Sequence, residues 1–131
     1  MTGATRLIDY LDHMSEAAQQ SCVYVEGLSK EDFLADRRTQ QAVILNVVIL
    51  GEAATKLIAN FEPFLSRFPS VPWRNMKGMR NRIAHGYFDI NLEVVWDTVQ
   101  TALPALLAQL PAVRAAAALI DENAKSGESG A

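Results

Sequence analysis

Apolar residues recur at every third or fourth position over much of this chain, which is the spacing of one face of an α-helix. The first such stretch runs from Thr5 to Gly27, where Gly27 suits a helix C-terminal cap. Its apolar positions are Leu7, Ile8, Leu11, Met14, Ala18, Cys22 and Val25. Ser29 and the following KEDF predict a short helical turn with Ser29 as its N-cap.

A second helix is predicted from about Arg37 to Ile58. Its middle, AVILNVVILGEAA (Ala42–Ala54), is apolar on all sides and should be enclosed by neighbours, a second subunit among the candidates. This run is shorter than the roughly 20 residues that span a bilayer, and it contains Asn46 and Glu52. We interpret it as a buried core helix.

Prolines and glycines mark the ends of the later elements. The segment NFEPFLSRFPSVP contains three prolines and predicts connecting turns. The third helix should begin near Pro72, which suits a first-turn position. It should end near His85, because Gly86 can take the left-handed conformation of a C-terminal cap.

The last third of the chain is also predicted to be helical. Asn91 suits the N-cap of a fourth helix, in which Pro104 predicts a kink and Pro111 a break. A final helix should run from Ala112 to about Glu122, and residues 123–131 should be disordered. No stretch has strand periodicity, so the predicted fold is an all-α antiparallel bundle of the four-helix type with an additional C-terminal helix.

Composition is that of one globular domain, which we place at residues 1–122. The chain has 131 residues, of which 50% are apolar and 21% charged. The single cysteine, Cys22, excludes an intramolecular disulfide and a cysteine-built metal site. Met1 to Asp12 contains no apolar segment after a basic start, so no secretory signal is predicted and we expect a cytoplasmic protein without membrane attachment.

Positive charge is concentrated in residues 72–90, which we call the basic island. The chain carries a net charge of −3, but the basic island sums to +3 and leaves −6 for the remainder. Its charged residues are Arg74, Lys77, Arg80, Arg82 and Asp89. A basic island on an acidic background favours a local anionic ligand over a general nucleic-acid coat.

Within the basic island, the stretch MRNRIAHGYFDI combines arginine, histidine and tyrosine. Histidine exchanges protons near neutral pH, and arginine matches phosphate oxygens with a fixed fork of donors. Together they can cleave RNA without metal: a base activates the ribose 2′-hydroxyl, an acid protonates the leaving oxygen and a cation stabilises the phosphorane. A lone histidine near a helix C-terminus is, however, more often a surface or capping residue.

Helical geometry separates the two residues that this chemistry needs most. Arg80 and His85 are five residues apart, so on a regular helix they diverge by about 140°, whereas Asn81 and Arg82 share the face of His85. Arg80 aligns with Tyr87 only if the helix continues that far. Two alternatives remain: the helix ends at His85 and turns the ring, or two copies of the segment meet across a dimer.

The motif resembles that of a known family. Arg80 to Tyr87 matches the R-x4-H-x-Y signature of HepT-like toxins, members of the all-α HEPN superfamily. The stretches QQAVILNVVILGEAATKL, VPWRNMKGMRNRIAHGYFDI and VVWDTVQTALPALLAQL look like the family's successive helices, so the resemblance covers about Thr5 to Leu110. It implies an HEPN-like bundle that forms a homodimer, with two motifs facing each other in a cleft.

The resemblance also implies an activity and a partner. It implies a metal-independent endoribonuclease that needs no cofactor. In this enzyme His85 would be the general acid and base, Arg80 would bind the scissile phosphate, and Asn81 would orient His85 or the RNA. It implies the toxin of a type VII-like toxin–antitoxin system whose antitoxin, an MntA-like nucleotidyltransferase, transfers AMP from ATP to Tyr87. Transfer RNA is the substrate expected at the family level.

Several residues around the motif keep two interpretations. Glu52 either neutralises Arg80 from behind or is an exposed carboxylate at a helix end. Arg82 shares the His85 face but lies outside the fixed motif positions, so its part in RNA binding stays open. Arg37 and Arg38 either add phosphate contacts or, as is commoner, belong to a solvated surface.

Two other functions compete with the ribonuclease. One is a non-catalytic helical adaptor that docks a nucleotidyltransferase and has no need of His85. The other is a histidine phosphotransfer bundle, in which the histidine normally lies in the middle of a helix. The latter fits less well, because Gly86 follows His85 directly.

Overall fold

The computed structural model describes the backbone of residues 3–130 and the side chains of residues 6–120. Within that range the chain is helical without a β-strand, so the all-α prediction is confirmed. The helices are α1 (Gly3–Tyr24), α2 (Lys30–Leu34), α3 (Arg37–Leu65), α4 (Trp73–His85), α5 (Leu92–Asp97) and α6 (Leu103–Gly130). A 3₁₀ turn, Tyr87–Asp89, links α4 to α5, and a π-helical turn, Thr98–Ala102, links α5 to α6.

Helix α1 lies between α3 and α6, and α4 packs on the other side of α3. Two contacts show that α1 runs antiparallel to α6 and to the π-helical turn before it. Arg114 Nε donates to Asp12 Oδ1 at 2.7 Å near the middle of both helices. At the other end, the Cys22 thiol points to the Val99 carbonyl oxygen at 3.9 Å. Burial raises the pKa of Cys22, with a smaller contribution from the negative charge of Glu26.

The core consists of the apolar faces that the sequence predicts. In α1 the buried members are Leu7, Leu11, Met14, Ala17 and Ala18. Helix α3 is less completely enclosed than its composition predicts, because Leu45 and Ile49 remain 60% and 39% exposed on its outer side. These two residues and Glu52 follow one another at intervals of four and three, so they share one face of α3.

Two helical stretches are long and apolar enough to cross a membrane by length and composition alone, Arg37–Leu65 and Leu92–Ile120. Both contribute residues to the bundle core, among them Val47 and Leu57 in the first and Leu106 in the second. Core helices of soluble bundles meet the same criteria, so this finding is weak evidence for a membrane span.

The end of α3 differs from the prediction. The helix was expected to end at Ile58, with turns after it, but it continues to Leu65 with a kink at Phe61, where φ is −137° and ψ is 30°. Pro63 has no N–H to donate and its ring crowds the preceding turn, which accounts for a kink two residues earlier. Phe64 and Leu65 are buried, so core packing holds the final turn in helical form beyond the kink.

The prediction of a break at Pro111 is wrong, because α6 runs through it. Leu110 and Val113 are both buried, and their packing holds the two halves of the helix in line. Before Pro104 the chain forms the π-helical turn, whose wider spacing shows in the Leu103 N–H donating to the Thr98 carbonyl. This irregular turn stands where the sequence predicts a kink.

The C-terminal prediction also differs from the structure. The last helix was expected to end near Glu122 and residues 123–131 to be disordered, yet the backbone is helical as far as Gly130. Ala124 and Lys125 are good helix formers and no proline follows Pro111. Residue 131 lies outside the described range.

The two predicted N-caps, Ser29 and Asn91, are present. The Asn91 side-chain oxygen accepts from the N–H groups of Glu93 and Val94 at 3.0 and 3.2 Å. Helix α3 begins after Asp36, whose carboxylate accepts from the Thr39 hydroxyl at 2.6 Å and from the Thr39 N–H at 3.2 Å. These hydrogen bonds lower the pKa of Asp36, and the one from the Thr39 hydroxyl has the largest effect.

Removing the cap of α2 should lower stability. Ser29 Oγ accepts from the Asp32 N–H at 3.1 Å while Asp32 Oδ2 accepts from the Ser29 N–H at 3.2 Å, a complete capping box. We expect Ser29→Ala to lower the free energy of unfolding by about 0.5–2 kcal/mol, measured by urea denaturation. Ser29→Asp keeps an acceptor at the N-cap and should stay close to the unmodified chain. Equal losses in both variants would contradict a capping role.

Candidate active site

Helix α4 carries most of the basic island, and its register decides which side chains reach solvent. Trp73, Met76 and Ile83 are buried and define the inner face of the helix. Arg80 lies beside that face and is partly buried against α3, whereas His85 is exposed at the last helical position. One short helix therefore presents an inward arginine and an outward histidine.

Helices α3 and α4 are antiparallel and meet closely at Gly51. Arg74 pairs with Glu62 at 2.9 Å at one end of the contact, and Arg80 pairs with Glu52 further along. A Cβ atom on Gly51 would lie 2.8 Å from the Met76 carbonyl oxygen and closer still to the Arg80 Cβ. Only a residue without a side chain permits this approach.

The close approach places Glu52 against Arg80. Arg80 Nη2 donates to Glu52 Oε1, and Arg80 Nη1 donates to Asn81 Oδ1 at 2.8 Å. Of the two interpretations of Glu52, the structure shows the pairing with Arg80, and Glu52 lies in the middle of α3 rather than at a helix end. The pair is only partly buried, with 31% of the Arg80 side chain and 43% of the Glu52 side chain exposed. Two acceptors on one guanidinium fix its orientation.

Asn81 contributes to the site through Arg80 in this structure. Its oxygen accepts from Arg80, which leaves its NH₂ group to face other partners. The orientation of His85 or RNA by Asn81 stays a prediction.

His85 is the last residue of α4, five positions after Arg80. The Gly86 N–H donates to the Arg82 carbonyl at 2.9 Å, so the backbone is regular through His85. Arg80 and His85 therefore leave the helix about 140° apart. Gly86 ends the helix as predicted, but its φ of −140° and ψ of 44° show that the predicted left-handed cap is wrong. Because α4 ends here, Tyr87 is not in helical register with Arg80.

Tyr87 begins the 3₁₀ turn and is 53% exposed. Its ring meets the Phe88 ring edge to face, with centroids 5.9 Å apart and planes at 86°. Phe88 is 98% exposed, and the sequence reasoning did not single it out. The sequence signal that could have identified Phe88 is an aromatic residue directly after a charged motif.

Arg82 lies on another side of α4. It is exposed and borders an apolar groove of about 420 Å³ between α4 and the α5–α6 segment, together with Met79, Val94 and Thr98. Within the part of the chain that the structure describes, no group of three or more His, Cys, Asp or Glu side chains could hold a metal ion.

The chain is thus a small helical bundle whose helix α4 presents an arginine paired with a glutamate and an exposed histidine. The family model described as ribonuclease HepT-like matches residues 14–113, which include Glu52 and the whole stretch from Arg80 to Tyr87. The chain belongs to this family, and the resemblance stated from its motif is confirmed.

Curated relatives are similar over most of their length. The chain is 35% identical to "Probable ribonuclease HepT" of Thermococcus cleftensis, over 81% of this chain and 94% of the relative. It is 35% identical to a "Putative RNase" of Methanocaldococcus jannaschii, over 75% of each chain. A "Putative RNase" of Caldanaerobacter subterraneus is 32% identical, over 77% of this chain and 88% of the relative. No solved structure matches this chain.

Proposed function

We propose that this chain is a metal-independent endoribonuclease that acts as the toxin of a toxin–antitoxin pair. The observation that carries the proposal is the arrangement on α4, where Glu52 and Asn81 hold Arg80 and His85 stands exposed at the helix end. The family and the names of its relatives support ribonuclease chemistry. The substrate class is RNA, with transfer RNA as the family-level expectation.

Each motif residue has a defined task in the proposed reaction. His85 accepts the proton of a ribose 2′-hydroxyl, whose oxygen then bonds to the adjacent phosphorus. The bond from phosphorus to the 5′-oxygen breaks, and the protonated His85 then gives its proton to that leaving oxygen. Arg80 stabilises the negative phosphorane, and Glu52 keeps its guanidinium in place. Acid–base help and charge stabilisation each contribute about 10²–10⁴-fold.

The proposed active unit is a homodimer with two copies of α4 across a cleft. A second copy supplies the histidine that one chain cannot bring to its own Arg80. The exposed Leu45 and Ile49 support this assembly, because they form an apolar stripe on the α3 face that also carries Glu52. Burying that stripe between copies would enclose the Glu52–Arg80 pair.

The ribonuclease activity is proposed to be controlled by modification of Tyr87. A cognate MntA-like nucleotidyltransferase, acting in the cytoplasm, attaches AMP to its hydroxyl. The exposure of Tyr87 supports access by such an enzyme. The added phosphate places negative charge and bulk beside the basic island, which repels RNA in the same way as phosphorylation of an RNA-binding surface.

The test is cleavage of total tRNA by the unmodified chain in excess EDTA. We expect cleavage to persist, to fall by about 10²–10⁴-fold in His85→Ala, and to continue in Tyr87→Phe. Incubation with the nucleotidyltransferase and ATP should add AMP to the unmodified chain but not to Tyr87→Phe, as read by intact mass. Loss of cleavage in EDTA with recovery on Mg²⁺ would contradict the metal-independent reaction. Absence of cleavage under every condition would favour the adaptor.

A further inference from the structure

A second groove lies outside the Arg80–Glu52 pair. It has a volume of about 410 Å³ and runs between the first turns of α3 and the 3₁₀ turn that follows α4. We call it the Phe88 groove. Its lining includes Arg37, Gln41, Ile44, Tyr87, Phe88 and Leu92. A groove of this size holds a nucleobase with its sugar.

Two aromatic rings form one wall of the Phe88 groove. Phe88 is 98% exposed, so its ring contributes nothing to the core of the chain. The Phe88 ring packs at 86° to the Tyr87 ring, and its high exposure leaves ring surface open to solvent. Exposed aromatic faces are the platforms on which proteins stack single-stranded bases.

The residues that α3 contributes to the groove include polar groups that suit a nucleotide. Arg37 and Gln41 are exposed on consecutive turns of α3, four residues apart, and line the same groove. Gln40 beside them has another task, because its NH₂ group donates to the Phe33 and Leu34 carbonyls at 2.9 and 3.0 Å. Arg37 therefore offers a guanidinium to a phosphate, and Gln41 offers an amide to a base edge.

We propose that the Phe88 groove is an RNA subsite for a nucleotide flanking the scissile phosphate, where Phe88 stacks the base, Gln41 binds its edge and Arg37 pairs with its phosphate. This rests on the proposed ribonuclease function and extends it to substrate recognition. The groove adjoins the basic island at Tyr87, so one strand of RNA can contact both. AMP on Tyr87 would then also compete for the groove.

The test uses binding rather than cleavage. The chain, in a His85→Ala background, is titrated into a fluorescein-labelled single-stranded octaribonucleotide, either oligo(A) or oligo(U). Binding is followed by the fluorescence anisotropy of the probe. We expect Phe88→Ala and Phe88→Leu to raise Kd by roughly tenfold, because leucine keeps the apolar bulk but has no ring face to stack. Phe88→Trp should keep the affinity. Leu119→Ala is the control, since Leu119 is 59% exposed on α6 and does not line the groove.

Arg37 provides an independent readout. Arg37→Ala should weaken binding of both probes and lower the slope of log Kd against log salt by about 0.7, the value for one phosphate contact on a single strand. Phe88→Leu should leave that slope unchanged. In the cleaving chain, both variants should raise KM for RNA and leave kcat near its original value.

Three results would overturn the subsite. The first is an unchanged Kd in both Phe88→Ala and Phe88→Leu while the unmodified chain still cleaves RNA, which refutes the groove and leaves the ribonuclease intact. The second is a change from dimer to monomer in Phe88→Leu by light scattering, which places the ring between two copies. The third is absence of RNA binding and cleavage by the unmodified chain, which refutes the ribonuclease itself.

Discussion

An equal mixture of Arg80→Ala and His85→Ala chains is expected to cleave RNA, although neither variant does so alone. Arg80 and His85 leave the regular helix α4 about 140° apart, so in the proposed dimer each complete site would combine the arginine of one chain with the histidine of the other. A mixed dimer contains one such intact pair. Each single variant should be about 10²–10⁴-fold below the unmodified chain, whereas the mixture should reach about a quarter of its activity if subunits exchange at random in a two-fold dimer.

A second mixture is the control for this result. The double variant Arg80→Ala, His85→Ala is mixed in equal amount with the unmodified chain. If pairs form between chains, every mixed dimer is inactive and about a quarter of the full activity remains; if they form within a chain, about a half remains. Absence of recovery in the first mixture, together with half activity in the second, would show that one chain brings both residues together.

Gly51→Ala is expected to lower both stability and activity, since a methyl group there has no space. Its Cβ would approach the Met76 carbonyl oxygen to 2.8 Å, and the Arg80 Cβ more closely, so α4 must move away from α3. Overpacking of this kind costs about 1–3 kcal/mol. The same movement separates Glu52 from Arg80, so kcat should fall as well. Urea denaturation and RNA cleavage measure the two effects.

Gly78→Ala is the matched control on α4. A Cβ there would lie 3.6 Å from the Arg82 guanidinium, which is ordinary contact. Replacing a helical glycine whose added Cβ meets only ordinary contacts should raise the free energy of unfolding by about 0.5–1 kcal/mol. A Gly51→Ala chain that gained stability as Gly78→Ala does would contradict the close packing of α3 on α4.

Much of the fold follows from local patterns in the sequence. The apolar spacing of α1 identified residues that are buried, such as Leu11 and Met14, and the caps at Ser29 and Asn91 formed as their residue types predict. The break predicted at Pro111 is absent, because the helix-breaking effect of proline concerns only the backbone of one helical turn. The burial of Leu110 and Val113 in the core decides the outcome there.

The candidate site was also predicted only in part, because local sequence patterns do not show how the helices pack. The Glu52–Arg80 pair was one of two interpretations of Glu52 that the sequence left open, supported by the cost of an unpaired carboxylate in an apolar helix. Gly51 was missed, although a glycine inside a helix of strong apolar residues commonly has a packing reason. The exposure of Phe88 depends on the 3₁₀ turn after α4, which no periodicity in the sequence indicates.

The regularity of α4 through His85 has a consequence for dosage. If each complete site draws on two chains, isolated chains are inactive and the amount of active enzyme rises with the square of chain concentration below the dimer dissociation constant. Low-level synthesis would then be tolerated, while a few-fold rise in copy number would produce a much larger rise in RNA damage. The angle between two side chains on one helix would thus set a threshold for toxicity in the cell.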